Sequence, residues 1–232
     1  LLCGRERDGG LSGLGPTLFA FQPMNYNDPP SPNAILPVTT VLEYGPVEES
    51  DNYNFPNSIN DYNHDDRWRA AEWISAGSQN AIIFAGNKAK GDNWYGSHGE
   101  RMKLDWVVAD IPHPDFDETD PDGKSWCSHN RQPSFILYDP DDLANAAEGI
   151  TEVYEPQAYA ALRPDKDIFY GEDQEIVALS FDNANGYLYL LEYDYHNDGR
   201  IILHVWKVSE SPVSVYEDEV LEKIKIYPNP AG

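Results

Sequence analysis

The chain has 232 residues, of which 40 are Asp or Glu and 16 are Lys or Arg, and its formal net charge is -24. A surface this acidic repels phosphate backbones and anionic membranes, which argues against nucleic acid as a partner. The 41% hydrophobic and 12% aromatic content is that of a globular chain able to bury one sizeable core or two small ones. No run approaches the roughly twenty apolar residues of a membrane-spanning helix.

Runs rich in Val, Ile, Tyr, Phe and Trp, separated by Gly, Pro, Asn and Asp, dominate the chain and predict an all-β fold. In chain order these runs cover residues 18–23, 36–44, 69–74, 81–86, 135–140, 156–162, 176–181, 187–193 and 200–208. One short helix is predicted in a connection. It begins near Pro140, with Asp139 as its N-cap, and ends at Gly149.

The order of these strands repeats along the chain. Two hairpins, one turning at 77–80 and the other at 183–186, are each followed by further strand. Recurring units of this kind predict a β-propeller fragment of about two to three blades over residues 1–208, the C-terminal part of a longer propeller. Residues 87–133 are a long insertion in this scheme. A β-sandwich is the alternative, because it also joins short strands by loops.

Two parts of the sequence carry a resemblance to known proteins with this architecture. They are Phe135 to Pro140 followed by Pro156 to Tyr159, and the closing His204-Val205-Trp206. These stretches are similar to large secreted bacterial β-propeller proteins of uncharacterised function. The resemblance implies an architecture and no biochemical activity.

The final residues carry a second resemblance. Lys225-Ile226-Tyr227-Pro228-Asn229-Pro230 follows an acidic linker at 209–223 and resembles the start of the C-terminal sorting domain of the bacterial type IX secretion system. The resemblance implies that 224–232 open this domain, that Tyr227 to Pro230 belong to the sorting signal, and that the outer-membrane secretion machinery is a partner. The alternative is an ordinary strand and turn, because the two prolines interrupt any ladder.

A secreted or cell-surface location follows from that resemblance. The first residues, Leu1 to Arg5, lack the basic region and apolar core of a signal peptide, so a secreted protein would have its true N-terminus upstream. Cys3 and Cys127 permit one disulfide, and the sequence leaves their pairing open.

Asp65 and Asp66 are the candidate catalytic residues. They precede the first strand of the complete blade, where a propeller strand begins near the central channel, and propeller glycosidases use paired carboxylates as acid and base. A second acid from elsewhere is required, and Asp105, Asp110 and Glu175 are equally eligible. The alternative is structural, with these acids capping a turn or pairing with arginines 67 and 69.

The insertion carries the candidate ligand-binding residues Trp94, Tyr95, His98 and Trp126. Sugars stack their CH faces on aromatic rings while their hydroxyls form hydrogen bonds, so this composition is typical of a sugar site. The alternative is that the rings form the small core of the insertion itself.

The segment from Asp194 to Gly199 is the candidate metal site. Asp194, Asn197 and Asp198 could offer oxygen ligands to calcium, the one cofactor that the sequence suggests, although His196 and the lack of a later glutamate depart from the EF-hand pattern. The alternative is a hairpin turn, for which Asn-Asp-Gly is well suited.

These observations predict a secreted or cell-surface protein that binds an extracellular glycan or protein partner. The alternatives are a carbohydrate-active enzyme of the propeller type, hydrolase or lyase, and a structural or adhesive surface module. The sequence leaves catalysis undecided and favours a non-enzymatic role, because no second acid is singled out.

Overall fold

The computed structural model describes residues 2–3, 14–22, 31, 33–44, 57–63, 65–96, 125–164, 169, 175–194, 199–209 and 225–228. Within these ranges the chain forms β-strands and one helix. In chain order they are β1 Leu2–Cys3, β2 Thr17–Phe21, β3 Val38–Glu43, β4 Arg67–Ala76, β5 Gln79–Gly96, β6 Ser125–Tyr138, α1 Pro140–Ala147, β7 Ala160–Leu162, β8 Glu175–Asp182, β9 Tyr187–Asp194, β10 Arg200–Ser209 and β11 Lys225–Pro228.

The strands form three antiparallel sheets, which confirms the all-β prediction. The first sheet has the order β1-β2-β3, the middle sheet the order β4-β5-β6-β7, and the third sheet the order β8-β9-β10-β11. The middle and third sheets are therefore simple meanders, in which each strand pairs with the next along the chain. Within the described ranges none of the three sheets closes on itself.

Local sequence signals account for the hairpins and the helix, and both predictions are confirmed. Gly77 and Gly186 hold positive φ angles of 58° and 66° in the turns β4-β5 and β8-β9, a conformation that favours glycine. The Asp139 side chain accepts a hydrogen bond from the Asp141 backbone N–H at 2.9 Å, as an N-cap does. After the helix, Gly149 adopts φ 73°, which ends it.

The middle sheet lies between the other two, because its strands alternate apolar side chains on both faces. One face packs on the third sheet in a core of Ile74, Ala76, Ala81, Ile83, Ala85, Phe135, Leu137, Phe169, Ile176, Leu188, Leu190, Trp206 and Val208. The other face packs on the first sheet and the helix in a core of Leu14, Leu18, Val41, Leu42, Tyr44, Ile59, Trp68, Ile82, Phe84, Ile136, Tyr138 and Leu143.

Strand pairing defines three further parts of the chain. Residues 87–96 and 125–133, assigned to an insertion, continue β5 and β6 as a paired ladder. The fourth strand of the middle sheet begins at Ala160 rather than at Pro156, which lacks a backbone N–H. Lys225–Pro228, the start of the predicted sorting domain, pairs with Trp206–Ser209 as the outer strand of the third sheet.

Candidate functional site

The two candidate acids lie in the turn that enters β4, and local hydrogen bonds set their directions. The Asn63 side-chain oxygen accepts from the Asp65 N–H at 3.1 Å, and the Asn63 carbonyl accepts from the Asp66 N–H at 2.9 Å. The Asp66 carboxylate in turn accepts from the Asn63 N–H at 3.1 Å. This Asx-type turn holds two buried carboxylates at adjacent positions, and each reaches a different set of partners.

Asp66 pairs with Lys88 of β5. The Lys88 ammonium donates to the two Asp66 oxygens at 2.8 and 3.0 Å and also to the Asp61 carbonyl, while the Ala89 N–H donates to Asp66 at 2.9 Å. Burial raises the pKa of Asp66 to about 6, and the Lys88 charge opposes that rise. Both members of the pair are shielded from water, so the pair joins the turn to β5 inside the protein.

Asp65 is 1% exposed and faces the other way, toward β6. It accepts hydrogen bonds from the Ser128 N–H at 2.8 Å and the Ser128 hydroxyl at 2.9 Å. It also accepts from Arg131 Nε at 2.8 Å and forms an ion pair with Arg67 at 3.5 Å. The turn is thereby tied to β6 as well as to β5.

Glu175, one of the eligible second acids, joins the same network from the third sheet. Its carboxylate accepts from Arg67 at 3.0 Å, from Arg131 at 3.1 Å and from Arg69. A further bond between the sheets runs from the Ile176 N–H to the Asn87 side-chain oxygen at 3.1 Å. The structure thus brings Glu175 and Asp65 to the same two arginines, and the network clamps the first strand of the third sheet to the middle sheet.

This network is rich in charge-assisted contacts, and all three carboxylates accept several donors. Such contacts anchor buried acids in place. They match the structural role that the sequence offered as its alternative, in which these acids cap a turn and pair with the arginines that follow.

The candidate aromatic residues lie on a hairpin extension, defined here as residues 88–96 of β5 and 125–132 of β6. The ladder of β4 with β5 starts only at Asn87, whereas β5 and β6 stay paired to Gly96 and Ser125. In this extension Tyr95 is opposite Trp126, and Trp94 is opposite Cys127. Backbone pairing therefore joins two distant sequence stretches. The side chains of these residues, and His98 as a whole, lie outside the described residues.

A pocket of about 170 Å³ opens where the hairpin extension leaves the middle sheet. Its walls include Asp61, Asp66, Trp68, Lys88, Ala161 and Arg163. Sequence reasoning missed this pocket, because its walls come from the segment before β4, from β4 to β7 and from the residue after β7. No local motif marks a site assembled from so many segments.

The charges around this pocket are paired. At the rim, Arg163 donates to the Asp61 carboxylate at 2.9 Å, and deeper in the wall Lys88 is bound to Asp66. Trp68 is 4% exposed, and its indole N–H has no acceptor among the described residues. A buried donor without an acceptor is uncommon in folded proteins.

The candidate metal site is described only in part. Asp194 ends β9, where it pairs with Arg200, and Gly199 has φ 65°. Asn197 and Asp198 lie outside the described residues. In the ranges that the structure describes, no group of three His, Cys, Asp or Glu residues is placed to hold a metal ion. The same ranges contain no helix with the length and apolarity needed to cross a membrane.

The candidate sorting segment begins as a strand. Tyr227 pairs with Lys207 and Pro228 with Trp206, whereas Asn229 and Pro230 lie outside the described residues. No protein-family model matches the chain, and neither a curated protein nor a solved structure matches it.

Proposed function

We propose that this chain is part of an extracellular glycan-binding protein built from propeller-like blades. Two consecutive four-stranded meanders support the blade architecture, because a propeller is made of such units. The first strands of the two meanders also lie against one another, with Arg67 and Arg69 of β4 bound to Glu175 of β8. Adjacent first strands are what successive blades place around a common axis.

The hairpin extension is the observation that carries the glycan proposal. It continues β5 and β6 beyond the ladder with β4, and its register makes Tyr95 and Trp126 a cross-strand pair on one face. Trp94 precedes Tyr95 in the strand and so belongs to the opposite face. Cross-strand neighbours in an antiparallel pair are about 5 Å apart, which is the spacing of a compact binding patch. Aromatic residues so spaced, in a chain that also carries many amides and hydroxyls, suit the stacking and hydrogen bonding of a sugar.

Binding is favoured over catalysis by the state of the candidate acids. Asp65, Asp66 and Glu175 each accept donors from cations, and two of them also accept from backbone N–H groups. Proton transfer to a glycosidic oxygen needs a carboxyl group with an oxygen free to reach that atom. Asp66 lines the pocket described above, but both of its oxygens accept hydrogen bonds from Lys88. Carboxylates committed to arginine and lysine side chains serve the packing of the sheets instead.

The extracellular location rests on the sequence of the last strand. Lys225 to Pro230 resembles the opening of a type IX sorting domain, and we propose export by that route to the cell surface or the medium. Expression of the chain behind a cleavable signal peptide, in a bacterium that has this secretion system, tests the proposal by fractionation. The protein should reach the outer membrane or the medium, and retention in the periplasm of a strain with active secretion would contradict it.

Equilibrium binding to a panel of immobilised polysaccharides tests the glycan proposal. The wild-type chain should bind at least one polymer, and a Tyr95→Ala, Trp126→Ala double variant should lose that binding. Trp73→Ala is the matched control, because Trp73 is an exposed aromatic residue of β4. It lies close to the β4-β5 turn, away from the hairpin extension. Equal loss in the control, or full binding by the double variant, would contradict a site on the hairpin extension.

A further inference from the structure

The pocket at the base of the hairpin extension has the size of a single ring. Its volume is about 170 Å³. This is similar to the volume of a cavity that accepts one benzene molecule, which is about 150 Å³. The pocket is also open at its rim, so substituents of a bound ring can extend into solvent. A longer oligomer does not fit inside it.

The walls divide into an apolar part and a polar rim. Ile59, Trp68 and Ile136 supply apolar surface, and Ala161 adds a small side chain to the wall. At the rim, Asp61 is 69% exposed on its side chain and carries the carboxylate that Arg163 binds. A carboxylate and a guanidinium side by side offer an acceptor and several donors to neighbouring hydroxyl groups.

The charge balance selects a neutral ligand. Lys88 is bound to Asp66, and Arg163 to Asp61, so each cation at the pocket has its own carboxylate. A net charge of -24 on the whole chain further disfavours an anion. The combination of an apolar wall, a rim of hydrogen-bonding groups and no excess charge is the chemistry of a neutral sugar ring.

We propose that this pocket binds one neutral pyranose unit of the glycan that the hairpin extension contacts. The inference rests on the proposed glycan-binding function and adds to it a second contact point. The pocket and the hairpin extension are adjacent, because Lys88 in the pocket wall is also the first residue of the hairpin extension. A polysaccharide held by the extension would then present a terminal or branching sugar to the pocket.

The test measures binding of the whole chain to methyl glycosides of glucose, galactose, mannose and xylose by saturation-transfer NMR, alongside binding to the polysaccharide panel. Ala161 lines the pocket, so Ala161→Tyr should fill it and abolish glycoside binding. The fold should tolerate this change, because Ala161 is an exposed residue of the edge strand β7. Asp61→Asn should weaken binding about tenfold, since it replaces a charged acceptor by a neutral one. Asn is also tolerated at the φ of 59° that Asp61 adopts.

Ala184→Tyr is the matched control, because Ala184 is exposed in the β8-β9 turn, outside the pocket. It should bind as the wild type does, and thermal unfolding should verify that all three variants fold. Glycoside binding that survives Ala161→Tyr would overturn the pocket assignment. Polysaccharide binding without any glycoside binding would also overturn it while leaving the proposed function intact, whereas a wild-type chain that binds neither would overturn both.

Discussion

Replacing Lys88 with Met removes the cation from the buried pair and leaves the Asp66 carboxylate with its backbone donors alone. The two hydrogen bonds that Asp66 loses measure 2.8 and 3.0 Å, and the Asp61 carbonyl loses a third. Breaking a buried ion pair from one side costs about 3–5 kcal/mol, since the remaining charge is left without compensation. We therefore expect Lys88→Met to lower the free energy of unfolding by an amount in that range near pH 8.

The pH dependence of this loss has a definite sign. In the folded wild type the pKa of Asp66 is raised from 3.8 to about 6. The folded state then binds the proton more tightly than the unfolded state, so the resulting stabilisation is complete below about pH 4 and disappears as the pH rises through 6. About two pKa units correspond to about 3 kcal/mol. Lys88 lowers this pKa, so the variant should have a still higher value and lose stability up to a higher pH.

Urea denaturation of wild type and Lys88→Met at pH 5 and pH 8 measures the effect. The difference in unfolding free energy between the two proteins should be clearly smaller at pH 5, where Asp66 is mostly neutral. The control Lys90→Met, two residues along the same strand, should stay within about 0.5 kcal/mol of wild type. The double variant Lys88→Met, Asp66→Asn should recover part of the loss at pH 8, because it removes both charges. An equal loss at both pH values would refute the reasoning.

Three further outcomes follow from the packing and are measured by chemical denaturation. Tyr44 donates to a backbone carbonyl and accepts from Tyr138 at 2.8 Å. Tyr44→Phe removes both hydrogen bonds and should lower the free energy of unfolding by about 2 kcal/mol, whereas Tyr138→Phe removes one and should lower it by about 1 kcal/mol. A larger loss for Tyr138→Phe than for Tyr44→Phe would contradict this network. A Cβ at Gly86 would lie 1.8 Å from a β4 carbonyl oxygen, so Gly86→Ala should lower the free energy of unfolding by about 3 kcal/mol or more. Gly149→Ala is the comparison and should lower it by about 1 kcal/mol, because a Cβ there meets no other atom but the backbone keeps φ 73°. Glu175→Gln removes the charge that three arginines share and should cost about 3 kcal/mol, and an unchanged unfolding midpoint would show that the clamp does not stabilise the fold.

The parts of the fold that the sequence predicts are those with local signals. The helix has its N-cap at Asp139 and its stop at Gly149, and the two hairpins turn at glycine-containing loops. In each case the deciding interactions lie within a few residues, so composition and spacing are enough.

The continuation of β5 past Gly86 has no such signal. Asn87 and Lys88 are polar residues of the kind that usually lie in exposed loops. Both are buried, because Lys88 is paired with Asp66 and the Asn87 side chain binds the Ile176 N–H of another sheet. These partners are distant in sequence, so only the folded chain shows why a polar stretch remains in a strand.

In the candidate site, too, the sequence indicates some residues but not their partners. Asp65 and Asp66 stand out in the sequence, yet their partners Ser128, Arg131 and Lys88 come from residues 22 to 66 positions away. The pairing of Tyr95 with Trp126 similarly depends on the register of a long ladder. Sequence identifies the residue types, and the fold decides which of them meet.

Affinity electrophoresis of the whole chain, through gels cast with different polysaccharides and stained for protein and polymer, tests the central claim most directly. A glycan-binding protein should be retarded by at least one polymer, and that polymer should stay intact along the lane. A cleared zone would make the chain an enzyme and would contradict the structural role assigned to Asp65 and Asp66. Unretarded migration in every gel would contradict glycan binding itself.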